Sequence, residues 1–198
     1  MSARRCTGVV LAGGRASRMA GRPKGLERVG GRRILDRVSA ALASAADDLV
    51  IVANDLDAAS WLPGVRVIPD VRPGYGALSG LHAALTATGT DVLVVAWDTP
   101  FVSSELLWAL REAGEREAVD AAAPTSDARF GFEPLCAWYA PNCLPAVEAA
   151  LDDGRLHAGG WQGAIHLHTL DPSPYGDPQT IFFNVNTPED LLRAETLL

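Results

Sequence analysis

The chain has 198 residues, 48% of them apolar and 21% charged, with a formal net charge of −7, a balance ordinary for a globular domain with a substantial core. That acidity excludes nucleic acid as a partner, because a nucleic-acid face needs clustered cations to release counterions. No apolar run approaches the roughly 20 residues of a membrane span, and no signal peptide is visible before the first glycines.

Residues 7–11 are short and apolar, carry β-branched Val9 and Val10, and end at glycine, which predicts a buried strand. In a parallel sheet such a strand delivers the chain to the carboxyl edge, where α/β proteins hold their ligands. Gly13 and Gly14 let the backbone approach a ligand closely, so that several N–H groups form an anion nest. Arg15, Arg18 and Lys24 follow, a cluster of charge that two or three phosphates would balance. In an acidic chain this predicts a polyphosphate-binding loop; the competing reading is a tight strand-to-helix turn with solvated cations. Spacing excludes two other phosphate loops. Lys24 is followed by Gly25, so there is no G-x-x-x-x-G-K-[ST], and no G-x-G-x-x-G follows the first strand.

Further along, Gly30-Gly31 marks a turn, and Ile34, Leu35, Val38, Ala41 and Leu42 predict an amphipathic helix over 34–46. Residues 49–53 form a second buried strand ending in Asn54-Asp55. A short helical stretch with Trp61 leads to a Pro63-Gly64 turn. A third strand, 65–70, carries Asp70 at its end, and the glycine-rich stretch 74–80 opens a helix over 78–87. Asp91 to Ala96 is continuous and β-branched, the pattern of a central strand buried on both faces. Four alternations of strand, loop and helix predict a mostly parallel, Rossmann-like sheet with helices on both faces. Right-handed crossovers put the strand ends on one edge, so residues 11–14, Asn54, Asp70 and Asp98 should converge.

The second half is less regular. Ser103-Ser104-Glu105 caps a helix to about 113, 119–124 and 135–139 read as strands, and 141–152 reads as a helix. Residues 165–170 are a further strand, 171–178 a proline-rich loop, and a final helix runs to 198. Repeats, low-complexity tracts and a clear linker are all missing. Cys6, Cys136 and Cys143 are odd in number and lack C-x-x-C spacing, so they read as reduced, mostly buried thiols of a cytoplasmic protein. His166 and His168 read as surface residues of one strand face.

Asp98 follows the central strand in Trp97-Asp98-Thr99-Pro100. A carboxylate at that edge suits Mg²⁺, which takes one or two carboxylates and completes its shell with phosphates and water; the alternative is a turn aspartate before the next helix. Asn54 and Asp70 either read a base or ribose or stabilise their turns. In Asn184-Val185-Asn186-Thr187-Pro188-Glu189-Asp190, Thr187 is a good N-cap, Pro188 suits the first helical position and the acids favour the helix dipole. Asn184 and Asn186 are left over, sharing one face at period two, as contacts for an acceptor substrate or for metal-bound water. No Ser/His/Asp or Cys/His arrangement is evident, which fits phosphoryl chemistry driven by positioning and charge neutralisation.

The pattern L-A-G-G-x-x-x-R-M, Leu11 to Met19, with Lys24 beyond it, resembles the phosphate loop of nucleotidyltransferases. Together with Asp98-Thr99-Pro100-Phe101, Glu133-Pro134-Leu135 and the 184–190 segment, it is similar to that of the molybdenum cofactor guanylyltransferases. The resemblance spans almost the whole chain. It implies one three-layer α/β domain of the nucleotide-diphospho-sugar transferase type, with a nucleotide-binding half at 1–115 and an acceptor half at 116–198. It further implies Mg²⁺-dependent transfer of GMP from GTP to the terminal phosphate of molybdenum-bound molybdopterin, in the cytoplasm, with transient contact with molybdenum cofactor proteins. Leu11, Ala12, Gly13, Lys24, Asn54 and Asp70 would contact GTP, with Gly14 and Arg15 in the same loop. Asp98 would bind nucleotide and Mg²⁺, Arg18 would face the phosphates, and Asn184 and Asn186 would lie towards the pterin. Two departures from the family pattern stand out. Gly76-Ala77-Leu78-Ser79-Gly80 lacks the proline of the usual G-P-L-x-G, which bears on the base, and Glu133 stands where histidine or glutamine is common, which bears on the acceptor. A related enzyme using CTP or another nucleotide with a different phosphate acceptor, or a non-catalytic nucleotide-binding regulator, are the competing readings.

Overall fold

Two wholly buried strands, β1 (Cys6–Leu11) and β6 (Asp91–Ala96), lie side by side at the middle of a seven-stranded sheet in a computed structural model. The structure describes residues 4–13, 23–116, 119–155 and 157–198. β4 (Asp48–Val52) pairs with β1, and β5 (Arg66–Ile68) with β4, all parallel, as the alternating pattern predicts. On the other side β8 (Cys136–Tyr139) runs antiparallel to β6. β7 (Ala121–Pro124) is antiparallel to β8, and β9 (Leu167–Leu170) is parallel to β7. Among the sheet's strands only β8 is reversed.

The period-two alternation of the central strands sorts their side chains into two cores. Cys6, Val10, Ile51, Leu93 and Val95 face α1 (Ile34–Ala45) and α4 (Ser104–Arg116), while Val9, Leu11, Val50, Val92 and Val94 face α3 (Gly76–Thr88) and α5 (Leu144–Asp152). Three layers result. α1 presents Ile34, Leu35, Val38 and Leu42 to the sheet as its spacing predicts, with Ala45 buried beside them and the predicted Ala41 only half-buried. α7 (Pro188–Glu195) joins the α1 side through Ala194. Before α1, β2 (Arg28–Val29) and β3 (Arg32–Arg33) form a two-residue hairpin. Gly30 and Gly31 turn it at φ of 59° and 73°, the left-handed pair that a type I′ turn requires.

Several predicted bounds shrink. The final helix stops at Glu195, and β5, β7 and β9 are shorter than the apolar runs that contain them. β5 and β9 are the edge strands, paired on one side only, and β7 lies between β9 and the four-residue β8. Residues 141–152 divide into a 3-10 turn at Pro141–Cys143 and then α5, because Pro145 cannot donate inside the helix. The loop at 171–178 feeds α6 (Pro178–Ile181), whose first amides donate to the Asp177 carboxylate.

Cys6, Cys136 and Cys143 are free and buried, and burial pushes each thiol up to about 12. His166 and His168 are exposed, as expected. Among the described residues no helix is long and apolar enough to cross a membrane.

Candidate active site

The carboxyl ends of β1, β4, β5 and β6 open onto a cavity of about 640 Å³, whose lining includes Leu11, Gly13, Asn54, Asp70 and Asp98. The convergence expected from topology is therefore present. Gly14, Arg15 and Arg18 lie outside the described residues. Backbone bonds beyond the strands hold these ends in register: Ala12 N–H donates to Val52 O at 2.9 Å, Ala53 N–H to Ile68 O at 3.0 Å and Trp97 N–H to Leu11 O at 3.2 Å. α3 crosses close behind. A Cβ on Gly80 would come within 3.0 Å of Leu11 Cδ2, so the helix packs directly on the end of β1.

Asn54 and Asp70 grip each other. The Asn54 amide donates to Asp70 Oδ2 at 2.8 Å, and the Asp70 backbone N–H donates to Asn54 Oδ1 at 2.9 Å. The pair ties two neighbouring strand ends together while both side chains remain on the cavity wall. Turn stabilisation and ligand contact are thus compatible roles for the same residues.

Asp98 sits at the end of β6 beside Lys24, with Nζ 3.7 Å from Oδ2. Their side chains are only 17% and 12% exposed, so the pair is largely out of water. Burial pushes the Asp98 carboxyl above its ordinary value, against the opposing pull of Lys24. The turn is fixed by Thr99 Oγ1 donating to Ala96 O at 2.7 Å, and by Val185 N–H donating to Asp98 O at 2.8 Å.

Lys24 opens a 3-10 turn, Lys24–Leu26, that rests on Trp97. A Cβ on Gly25 would lie 2.4 Å from the Trp97 ring, so only glycine permits this approach. Trp97 in turn stacks on Trp61, with centroids 5.1 Å apart. The glycine that rules out a P-loop reading of Lys24 thus has its own reason: it seats the lysine's turn against the residue preceding Asp98. Sequence inspection missed this contact, although a glycine directly after Lys24, where a P-loop would carry Ser or Thr, was a visible anomaly.

Asn186 and Asn184 have different partners. Asn186 Oδ1 accepts from Lys24 Nζ at 2.5 Å. Asn184 is exposed, and its amide donates to Phe182 O at 3.0 Å. Between them Val185 is buried and its N–H donates to the Asp98 carbonyl, an alternation consistent with the period-two pattern. The capping box at α7 is present: Thr187 Oγ1 accepts from Asp190 N–H at 3.1 Å, while Asp190 Oδ2 accepts the Asn186 and Thr187 amides, each at 2.9 Å.

From the second half, Leu135 reaches the cavity through Ala96 N–H donating to Leu135 O at 3.0 Å. Two residues earlier, Glu133 is half-buried, and burial pushes its carboxyl up despite a hydrogen bond with Ser126. Among the described residues no group of three or more His, Cys, Asp or Glu could hold a metal ion. Two carboxylates, Asp70 and Asp98, line the cavity, which suits a hard divalent ion that takes its remaining ligands from phosphates and water, and does not suit a closed protein cage.

The model of the MobA-like NTP transferase domain matches residues 8–163. A molybdenum cofactor guanylyltransferase of Desulfosudis oleivorans is 33% identical over 97% of this chain and 95% of its own length. A probable molybdenum cofactor guanylyltransferase of Pelotomaculum thermopropionicum is 36% identical over 96% of this chain and 92% of its own. Among solved structures, molybdopterin-guanine dinucleotide biosynthesis protein A from Archaeoglobus fulgidus superimposes with a TM-score of 0.81 at 29% identity, covering 96% of this chain and 97% of that one.

Proposed function

The chain belongs to the MobA-like NTP transferase family, and from that premise we propose that it transfers GMP from GTP to the terminal phosphate of molybdenum-bound molybdopterin. A phosphate oxygen of the acceptor attacks the α-phosphorus in line. The bond from that phosphorus to the bridging oxygen breaks, and pyrophosphate leaves with the electron pair. The observation that carries this reading is the largely desolvated Lys24 beside Asp98, which lines the cavity together with Gly13.

Lys24 brings an ammonium to the phosphate oxygens in a setting where a charge interaction is strong. Asp98 would hold Mg²⁺, which when bound neutralises phosphate-oxygen charge. Gly13 leaves open space at its Cβ position, where phosphates can approach the backbone. Asn54 and Asp70 would face the nucleoside, and Gly14, Arg15 and Arg18 would complete the phosphate side. Asn184, exposed, would face the acceptor. Residues 1–115 supply most of these groups, and 116–198 supply the acceptor side and reach back through Leu135 and Asn186. Free, buried thiols support a cytoplasmic setting.

Thermal shift with GTP, CTP, ATP and UTP in the presence of Mg²⁺ tests the nucleotide. GTP is expected to stabilise the protein most; a preference for CTP or UTP overturns the guanylyl assignment. Pyrophosphate release with molybdopterin tests turnover, and nucleotide binding without release would make the protein a regulator.

The raised Asp98 carboxyl gives a pH test. Transfer needs the ionised carboxylate, so activity is lost as pH falls through the folded pKa. That loss is expected above the ordinary aspartate value of 3.8. Lys24→Ala removes the largest opposing influence and should move the acid limb of residual kcat/KM further up. A limb that stays put contradicts the pairing.

A further inference from the structure

A hydrogen bond spanning 162 residues joins the phosphate-side lysine to the segment before the final helix, where Asn186 Oδ1 accepts from Lys24 Nζ at 2.5 Å. An asparagine is held this way only if its backbone is fixed, and here it is. The Asp190 carboxylate takes the amides of both Asn186 and Thr187. Next to it, Val185 is buried and its N–H binds the carbonyl of Asp98. The three consecutive residues 185–187 thus touch Asp98, Lys24 and the cap of α7 in turn.

Lys24 itself has a long stem with high rotamer entropy. Trp97 under Gly25 fixes its backbone but leaves the ammonium to be aimed. Asp98 alone, at 3.7 Å, is too far for a direct hydrogen bond. Asn186 supplies the close acceptor, is neutral, and so orients the ammonium without cancelling the charge that phosphates need.

We propose that Asn186 is a positioning residue for Lys24 and that the α7 capping box, through Asn186, is part of the triphosphate-binding machinery. This assigns Asn186 to the nucleotide side rather than to the acceptor. It rests on the reading of Lys24 as a phosphate ligand. The role is one of preorganisation: the ammonium is already aimed when the triphosphate arrives, so less ordering opposes binding.

The test is a double-mutant cycle on the full chain, with Asn186→Ala, Lys24→Ala and the double variant. Affinities for GTP with Mg²⁺ and for guanosine are read by calorimetry with no acceptor present. Asn186→Ala is expected to weaken GTP about tenfold, the scale of one charge-assisted hydrogen bond, and to leave guanosine binding unchanged. In the Lys24→Ala background the same substitution should cost nothing more, because contacting residues are non-additive. Asp190→Asn, which touches neither substrate, should give the same split between GTP and guanosine in smaller measure. Thermal melts separate these effects from loss of fold. Additive effects on GTP, or an effect of Asn186→Ala confined to the KM of molybdopterin, overturn the inference while leaving the guanylyl transfer reading intact. A wild-type chain that binds no nucleotide overturns both.

Discussion

Asp98→Asn is expected to lower kcat for pyrophosphate release by about 10²–10³-fold, the scale of losing one preorganised charge in a phosphoryl-transfer site. The substitution keeps the shape of the side chain and removes only its charge. The fold should hold, since the backbone carbonyl of residue 98 still accepts from Val185 and the Thr99 hydroxyl still closes the turn on Ala96. Affinity for GTP without Mg²⁺ should change little, while the gain in affinity that Mg²⁺ brings should vanish. Stopped-flow pyrophosphate release and calorimetry at two Mg²⁺ concentrations check the two halves. Near-normal turnover in a folded variant would remove Asp98 from the site.

Gly25→Ala should do nearly as much damage without altering Lys24 or Asp98 themselves. The new methyl would lie 2.4 Å from the Trp97 ring, which is stacked on Trp61 and resists displacement. The Lys24–Leu26 turn must move instead. Overpacking of this kind costs about 1–3 kcal/mol, which in a domain of this size is a fall in Tm of roughly 2–4 °C per kcal/mol. A displacement of about 1 Å at the ammonium costs on the order of 10²-fold in kcat/KM. Gly163→Ala is the control, because a Cβ there meets nothing within 4 Å. Unchanged melting and turnover in Gly25→Ala would mean that Lys24 is not held by this contact.

Much of the architecture was legible before the structure. Asp91–Ala96 was read to the residue, because a continuous β-branched run buried on both faces leaves few alternatives. Leu11, Asn54, Asp70 and Asp98 were brought together by topology alone, since each ends a strand of one parallel set. Direction was not legible in β8: Cys136–Tyr139 is buried whichever way it runs, and nothing in an apolar tetrapeptide records its orientation. Contacts across distant segments were also hidden. Gly25 on Trp97 and Lys24 on Asn186 depend on where loops land, and no local propensity encodes that. The 184–190 segment shows the boundary well. Thr187 and Asp190 announced a helix start through local rules, whereas the partner of Asn186 needed the whole fold.

The single reversed strand has an outcome for how such a molecule can diversify. Where β6 leaves the sheet, β8 enters it, so the connection over residues 125–135 arrives at the cavity rim from outside the parallel set. Its exposed positions, unlike Phe132 and Leu135, which pack in the core beneath, can change without disturbing β1, β4 or β5. On the proposed reading, a lineage could exchange one phosphate-bearing acceptor for another along that rim and keep the nucleotide end of the cavity.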